Sequence, residues 1–152
     1  MIAGALDDDP YLSASGAVRG RIEELGVKED VVLTGFVSDE ALACLYSAAV
    51  IVVQPSLAEG FGLPAVEAAA CGAPVVLSDI PAHRETLGDD ALFFPPGDPI
   101  VLAEWLQRLL GSDMLRRSLA ERARKQVARY TWDASAEVLR SLLHGAARGR
   151  PG

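Results

Sequence analysis

Residues 50–77 read VIVVQPSLAEGFGLPAVEAAACGAPVVL: two short apolar runs, 50–53 and 74–77, on either side of a glycine-bearing loop and an alanine-rich stretch. Short Val/Ile/Leu runs without polar alternation predict strands covered on both faces, and two such strands joined through a helix run parallel. Pro64 suits the first turn of that helix, where its missing N–H has no intrahelical partner to lose, and Gly72 supplies the stop. The loop between carries Glu59 and the glycines Gly60 and Gly62, with Glu67 about one turn into the helix.

The same alternation continues in both directions. Upstream, residues 1–4 read as the end of a buried strand, and Asp7, Asp8, Asp9 and Pro10 as an acidic, solvated loop. Residues 13–25 predict a helix with Val18, Ile22 and Leu25 on one face, closed by Gly26. Residues 31–34 predict a short buried strand ended by Gly35, and Ser38 caps a helix with Ala41, Leu42, Leu45 and Tyr46 on its apolar side. Downstream, residues 81–87 predict a short helix, 91–94 a last strand, and 99–110, 114–129 and 132–144 three further helices. Strands alternating with amphipathic helices define an α/β fold: a doubly wound, parallel, Rossmann-like sheet with helices on both faces.

Composition excludes several classes. A chain of 152 residues, 50% hydrophobic, can bury one core. Its formal charge of −7 argues against nucleic acid or an anionic membrane as a partner. Cys44 and Cys71 have neither metal-ligand spacing nor the density of a disulfide scaffold, and they are expected to be reduced core residues. Trp105 and Trp132 are likewise expected in the core. No apolar run approaches the roughly 20 residues of a spanning helix. The N-terminus has no basic segment followed by an apolar one. A cytoplasmic protein is the expectation.

In doubly wound sheets, ligands bind beyond the carboxyl ends of the strands, where helix N-termini converge. The loop after residue 53 lies there, and the first amides of the following helix carry its partial positive charge, so a phosphate can sit on them without a lysine. Gly60 and Gly62 permit unusual backbone angles and close ligand approach, while Phe61 between them is expected to insert into the core. Glu67 would face the ribose of a nucleotide whose phosphate caps the helix, and a carboxylate suits a vicinal diol. Glu59, across the glycines, would face whatever lies beyond the phosphates. The alternative is plain: Glu67 complements the helix dipole and Glu59 is solvated loop charge. Spacing alone leaves both readings open. His83 and Glu85, in the segment after the 74–77 strand, lie on the ligand side of the sheet or on a surface helix.

Taken in order, Thr34-Gly35-Phe36-Val37-Ser38, Leu45-Tyr46-Ser47-Ala48-Ala49, Pro55-Ser56, Glu59-Gly60-Phe61-Gly62-Leu63-Pro64 and Glu67-Ala68 resemble the C-terminal domain of the family-4 retaining glycosyltransferases. Cys71-Gly72-Ala73-Pro74-Val75-Val76, Pro95-Pro96-Gly97-Asp98-Pro99 and Tyr130-Thr131-Trp132 extend the match over residues 31–143. The resemblance implies one half of a GT-B architecture, with the nucleotide-sugar donor, a UDP- or GDP-sugar, on this domain and the acceptor hydroxyl compound on another. It implies that Glu67 binds ribose hydroxyls and that Glu59, the catalytic-site carboxylate, contacts the transferred sugar. The amides of Phe61, Gly62 and Leu63, with Gly60 beside them, would hold sugar hydroxyls and phosphate oxygens, and the backbone near Phe36 and Val37 would frame the base. The family implies no metal and no cofactor.

On that reading, residues 1–130 form the nucleotide-sugar-binding domain, 131–144 the helix that crosses back toward the acceptor domain, and 145–152 a disordered tail. The Arg and Lys that neutralise the diphosphate in the family precede the position of Met1, and the acceptor domain is missing. The chain is therefore expected to be a fragment or excised domain, inactive alone, its last helix open to self-association and any peripheral membrane contact made only through the missing domain. A nucleotide-sugar epimerase-like domain and a non-catalytic nucleotide-binding module are the competing functions. The glutamates around Gly-Phe-Gly favour the transferase. A dinucleotide oxidoreductase is disfavoured, because no Gly-x-Gly-x-x-Gly follows the first strand.

Overall fold

A computed structural model describes residues 1–4 and 15–148. The acidic loop of Asp7, Asp8, Asp9 and Pro10, and the first residues of the helix expected from 13, lie outside the described residues. The chain divides into two compact units, Met1–Cys44 and Leu45–Gly152.

The first unit holds α1 (Ser15–Glu24), a 3-10 turn (Lys28–Asp30) and the start of α2 (Asp39–Ala48). Gly26, at φ 65°, ends the α1 segment. Its N–H reaches the carbonyl of Glu23 at 3.0 Å while that of Val27 reaches Ile22 at 3.2 Å, the paired bonds of a Schellman stop. Ser38 caps α2 through Oγ, which accepts from the Ala41 amide at 3.3 Å. The expected strands at 1–4 and 31–34 reduce to a single parallel bridge, Ile2 to Leu33. Three backbone bonds hold it, Ile2 to Val32 (2.8 Å), Thr34 to Ile2 (3.1 Å) and Gly4 to Gly35 (3.2 Å). Ile2 and Val32 are exposed, so these runs are not buried strands: two segments pair over too few residues to be covered on either face.

The second unit is the sheet: β1 (Val52–Gln54), α3 (Leu63–Ala70), β2 (Val75–Ser78), α4 (Pro81–Leu87), β3 (Leu92–Phe94), α5 (Pro99–Leu110), α6 (Asp113–Val127) and α7 (Trp132–Arg148). The strands lie in the order β1-β2-β3, all parallel, as the apolar runs within residues 50–77 predict. Val52 pairs with Val75 and Leu77 with Phe93. Alternation along β2 then feeds two cores. Val75 and Leu77 pack with Ala65, Ala68 and Ala69 of α3 and Ala123 and Val127 of α6, while Val76 packs with Phe94, Leu109, Val101 and Trp105. Helices therefore cover both faces. Each Val or Leu fully buried this way contributes about 1.5–3 kcal/mol relative to exposure. The alanines of α3 are small enough to bring its backbone close to the strands, which fixes where its N-terminus points. Gly72, at φ 84°, closes α3 with the same paired bonds seen after α1, Gly72 to Ala69 and Ala73 to Ala68, both 3.0 Å.

Trp105 sits on the sheet and donates Nε1–H to the Phe93 carbonyl at 2.9 Å. Asp98 caps α5, its Oδ1 accepting from Ile100 and Val101 at 2.9 and 3.1 Å. Three expectations are corrected here. Trp132 is 90% exposed, because it begins a helix whose apolar side, Val138, Leu139, Leu142 and Leu143, is itself exposed. Cys44 is exposed and Cys71 half-buried, both as free thiols, so neither is a core residue. Helix α7 runs on to Arg148, past the boundary expected at 144, and the last four residues of the sequence, 149–152, lie outside the described residues. No helix among the described residues is long and apolar enough to cross a membrane.

Candidate functional site

The carboxyl ends of β1 and β2 bring polar side chains together under the N-terminus of α3. Gln54 is the last residue of β1, and its Nε2 donates to Glu59 Oε1 at 3.0 Å and to Ser56 Oγ at 3.0 Å. The Ser56 hydroxyl donates to the same Glu59 oxygen at 2.7 Å. One carboxylate oxygen is thus tied down by two neutral donors, and these bonds fix the orientation of the carboxyl group. Ser78, the last residue of β2, donates its hydroxyl to the Ser56 carbonyl at 2.6 Å, which clamps the start of the loop to the neighbouring strand.

Gly62 then caps α3 in the left-handed region, φ 81° and ψ 42°, with no side-chain cap. Its carbonyl takes the amides of Ala65 and Val66. Among the described residues, the amides of Phe61, Gly62 and Leu63 donate no hydrogen bond, and Pro64 has none to give. Three free N–H groups at a helix N-terminus, with an oriented carboxylate beside them, form an acceptor-binding edge of the kind that takes phosphate or hydroxyl oxygens.

The hydrogen bonds from Ser56 and then Gln54 hold the Glu59 carboxyl below its ordinary range, with burial opposing them. A depressed carboxylate contributes stability that is present above the unfolded value and is lost as pH falls through the folded one. Glu59 is therefore an anion throughout the neutral range. Ser56→Ala removes the largest of these causes, so the Glu59 midpoint should move up toward the ordinary carboxylate value in a carbon-13 NMR titration. A midpoint unchanged in the variant would mean that the Ser56 hydroxyl does not hold Glu59.

Arg84 is the cation next to the buried His83 on α4, but it is committed elsewhere. Its Nε and Nη2 reach both oxygens of Asp79 at 2.7 and 2.8 Å, and its guanidinium lies 3.9 Å over the Phe93 ring. Any anion at the α3 N-terminus would meet backbone dipoles rather than this charge.

The structure brings Glu59, Gly60, Phe61, Gly62 and Leu63 into one loop and places Glu67 on α3, exposed, one turn further on. Burial first, then the charge of Glu67 and Cys71, hold the Tyr46 phenol above its ordinary value, which puts Glu67 on the side of α3 near Tyr46. Phe61 does not enter the core. It is 41% exposed and meets Tyr130 edge-to-face, ring centres 5.1 Å apart at 85°. Tyr130 is anchored in turn by Arg129 Nη2, which donates to its hydroxyl at 2.6 Å. Gly60 has no positive φ, so of the two glycines only Gly62 needs the left-handed region. Phe36, 82% exposed, and Val37, half-buried, belong to the first unit.

Of the supporting residues, His83 was the one the sequence offered, on the ligand side of the sheet or on a surface helix, and it is fully buried; Gln54, Ser56 and Ser78 were not singled out as site residues. Their signal was present: Gln54 and Ser78 are polar residues directly following the apolar runs of β1 and β2.

The family described as Glycosyl transferases group 1 matches residues 11–126. The O-antigen chain mannosyltransferase B of Escherichia coli is 36% identical over 114 residues, 74% of this chain and 30% of that protein. The MMP alpha-(1->4)-mannosyltransferase of Mycolicibacterium hassiacum is 38% identical over 129 residues, 82% of this chain and 31% of its own length. The chain thus spans about a third of the length of these two relatives. Among solved structures, sucrose-phosphate synthase from Thermosynechococcus elongatus superposes with a TM-score of 0.87 at 32% identity, over 97% of this chain and 38% of that one. Anabaena HepE in complex with UDP-glucose gives 0.81 at 23% identity, over 93% and 40%, a likeness of fold.

Proposed function

Because the chain belongs to the group 1 glycosyl transferases, we propose that the β1–α3 loop binds the nucleotide-sugar donor, a UDP- or GDP-sugar, of a retaining, metal-independent transfer to an acceptor hydroxyl. The observation that carries this reading is the set of unbonded amides of Phe61, Gly62 and Leu63 at the head of α3, flanked by Glu59 on one side and Glu67 on the other. Diphosphate oxygens accept from those amides, and the ribose diol donates to Glu67. Glu59, held anionic and oriented by Ser56 and Gln54, receives hydroxyls of the sugar. Gly60 leaves room beside it.

Transfer also needs an acceptor held against the anomeric carbon and a cation for the leaving diphosphate. We assign both to chain of the kind the longer relatives possess, so the residues described here bind donor without completing a transfer. The exposed apolar side of α7 is, on this reading, a contact surface for that further chain or for a second copy, and the reaction is cytoplasmic.

The test is calorimetry with Glu67→Gln. The variant should lose more affinity for UDP or GDP than for the 2′,3′-dideoxy analogue, by about 1.5–3 kcal/mol, the worth of a charge-assisted hydrogen bond. Equal losses for the two ligands would remove Glu67 from the ribose.

A further inference from the structure

Below the Gly62 turn, His83 is fully buried, and its two ring nitrogens are treated unequally. Nδ1 lies 2.9 Å from the Ser78 carbonyl oxygen and 3.3 Å from Ser78 Oγ. A carbonyl only accepts, and the Ser78 hydroxyl spends its one hydrogen on the Ser56 carbonyl, so Nδ1 carries the hydrogen of the neutral ring. That leaves Nε2 as a bare acceptor. Among the described residues it is the one buried side-chain nitrogen or oxygen without a hydrogen-bond partner.

An unpaired buried nitrogen is a cost that a leucine of similar volume would not carry, so packing alone does not account for the ring. What the ring touches does. A Cβ built on Gly62 would come within 2.9 Å of His83 Cδ2 and 3.4 Å of Nε2, so the Cδ2–Nε2 edge is the floor on which the left-handed Gly62 rests. The opposite edge, through Nδ1, is bonded to Ser78, whose hydroxyl holds the Ser56 carbonyl, and the Ser56 hydroxyl holds Glu59. One side chain therefore supports both ends of the turn, the carboxylate and the amides.

We propose that His83 is a positioning residue for the donor turn: through Ser78 and Ser56 it sets Glu59, and through its Cδ2–Nε2 edge it sets the height at which the Phe61, Gly62 and Leu63 amides face the ligand. The proposal rests on the donor-site reading above. His83 acts through the turn, and its free nitrogen leaves the seat held by contact rather than by a directional bond.

The experiment uses the 152-residue chain, with UDP as the probe, and compares wild type with His83→Leu and His83→Asn. Leucine keeps the volume without either nitrogen, whereas asparagine keeps an N–H for the Ser78 carbonyl without the ring edge. Without ligand, amide exchange at Ala65 and Val66, whose N–H groups the Gly62 carbonyl holds at 3.1 and 3.3 Å, should quicken in both variants while the β2 amides stay protected, and Asn, which lacks the ring edge, should not restore it. The UDP dissociation constant should rise about tenfold, within the range for a site displaced by its supports. Exchange at the turn unchanged in both variants, or quickened with no change in UDP affinity, would overturn the proposal. A wild-type chain that does not bind UDP would count against the donor reading, while the exchange still decides whether His83 seats the turn. If the variants do not fold, the nitrogen-15 spectrum of the wild-type ring decides: N–H at Nδ1 and a bare Nε2 are expected, and the opposite tautomer would refute the arrangement.

Discussion

Gly62→Ala should destabilise the chain and abolish its response to nucleotide, whereas Gly60→Ala should leave stability unchanged. At Gly62 two costs add. A side chain in the left-handed region costs about 1–2 kcal/mol. The new Cβ would also meet His83 Cδ2 at 2.9 Å, an overpacking of about 1–3 kcal/mol in a site that cannot yield freely. A combined loss of roughly 2–5 kcal/mol corresponds to a fall of roughly 4–20 °C in melting temperature for a chain of this size. Gly60 has an ordinary φ and nothing within 4 Å of a built Cβ, so alanine there should stay within about 0.5 kcal/mol of wild type. Paired thermal melts of the two variants measure the difference. Equal tolerance at both positions would mean that the Gly62 turn is not seated as described.

Leu77→Ala should be at least as damaging, for a different reason. Leu77 is fully buried in the central strand, paired to Gln54 on one side and Phe93 on the other, and packed against α3 and α6. Truncation leaves a cavity between rigid layers, and about 2–5 kcal/mol is the usual loss. Leu142→Ala, on the exposed side of α7, is the control and should change little. Denaturant unfolding that found less than about 1 kcal/mol at Leu77 would place the core elsewhere.

The sequence marks element ends well where single residues enforce them. Pro81 and Pro99 begin helices as expected, and Gly26 and Gly72 end them, because each acts through its own backbone. The runs 50–53 and 74–77 also read correctly, since an uninterrupted apolar strand needs two covering layers and the helices between supply them. Residues 31–34 have the same local pattern and fail, because a run cannot report how many residues its neighbour will pair. Trp132 fails in the same way: an amphipathic helix shows that it has an apolar side but not whether anything covers it.

The site divides along the same line. Glu59, Gly62 and Glu67 are legible because a loop and the first turn of one helix place them. Their supports are only half so. Gln54 and Ser56 are near Glu59 in sequence, yet Ser78 and His83 arrive by a parallel crossover, and no periodicity in the chain announces that β2 will set its last residue beside the loop after β1. The different needs of Gly60 and Gly62 were equally hidden, since two glycines in one loop look alike until their dihedral angles are known.

The central claim is that the head of α3 holds the phosphates of a nucleotide donor. Amide chemical-shift mapping of the nitrogen-15-labelled chain, titrated in parallel with UDP and with uridine, tests it most directly. The expected result is that the Phe61, Gly62 and Leu63 resonances move with UDP and stay in place with uridine, because only the diphosphate reaches those N–H groups. A second concave surface, the groove lined by Arg129, Tyr130, Val138, Leu139 and Leu142, provides the contrast. UDP shifts centred on that groove with the α3 amides unmoved, or no shift at either place, would contradict the account.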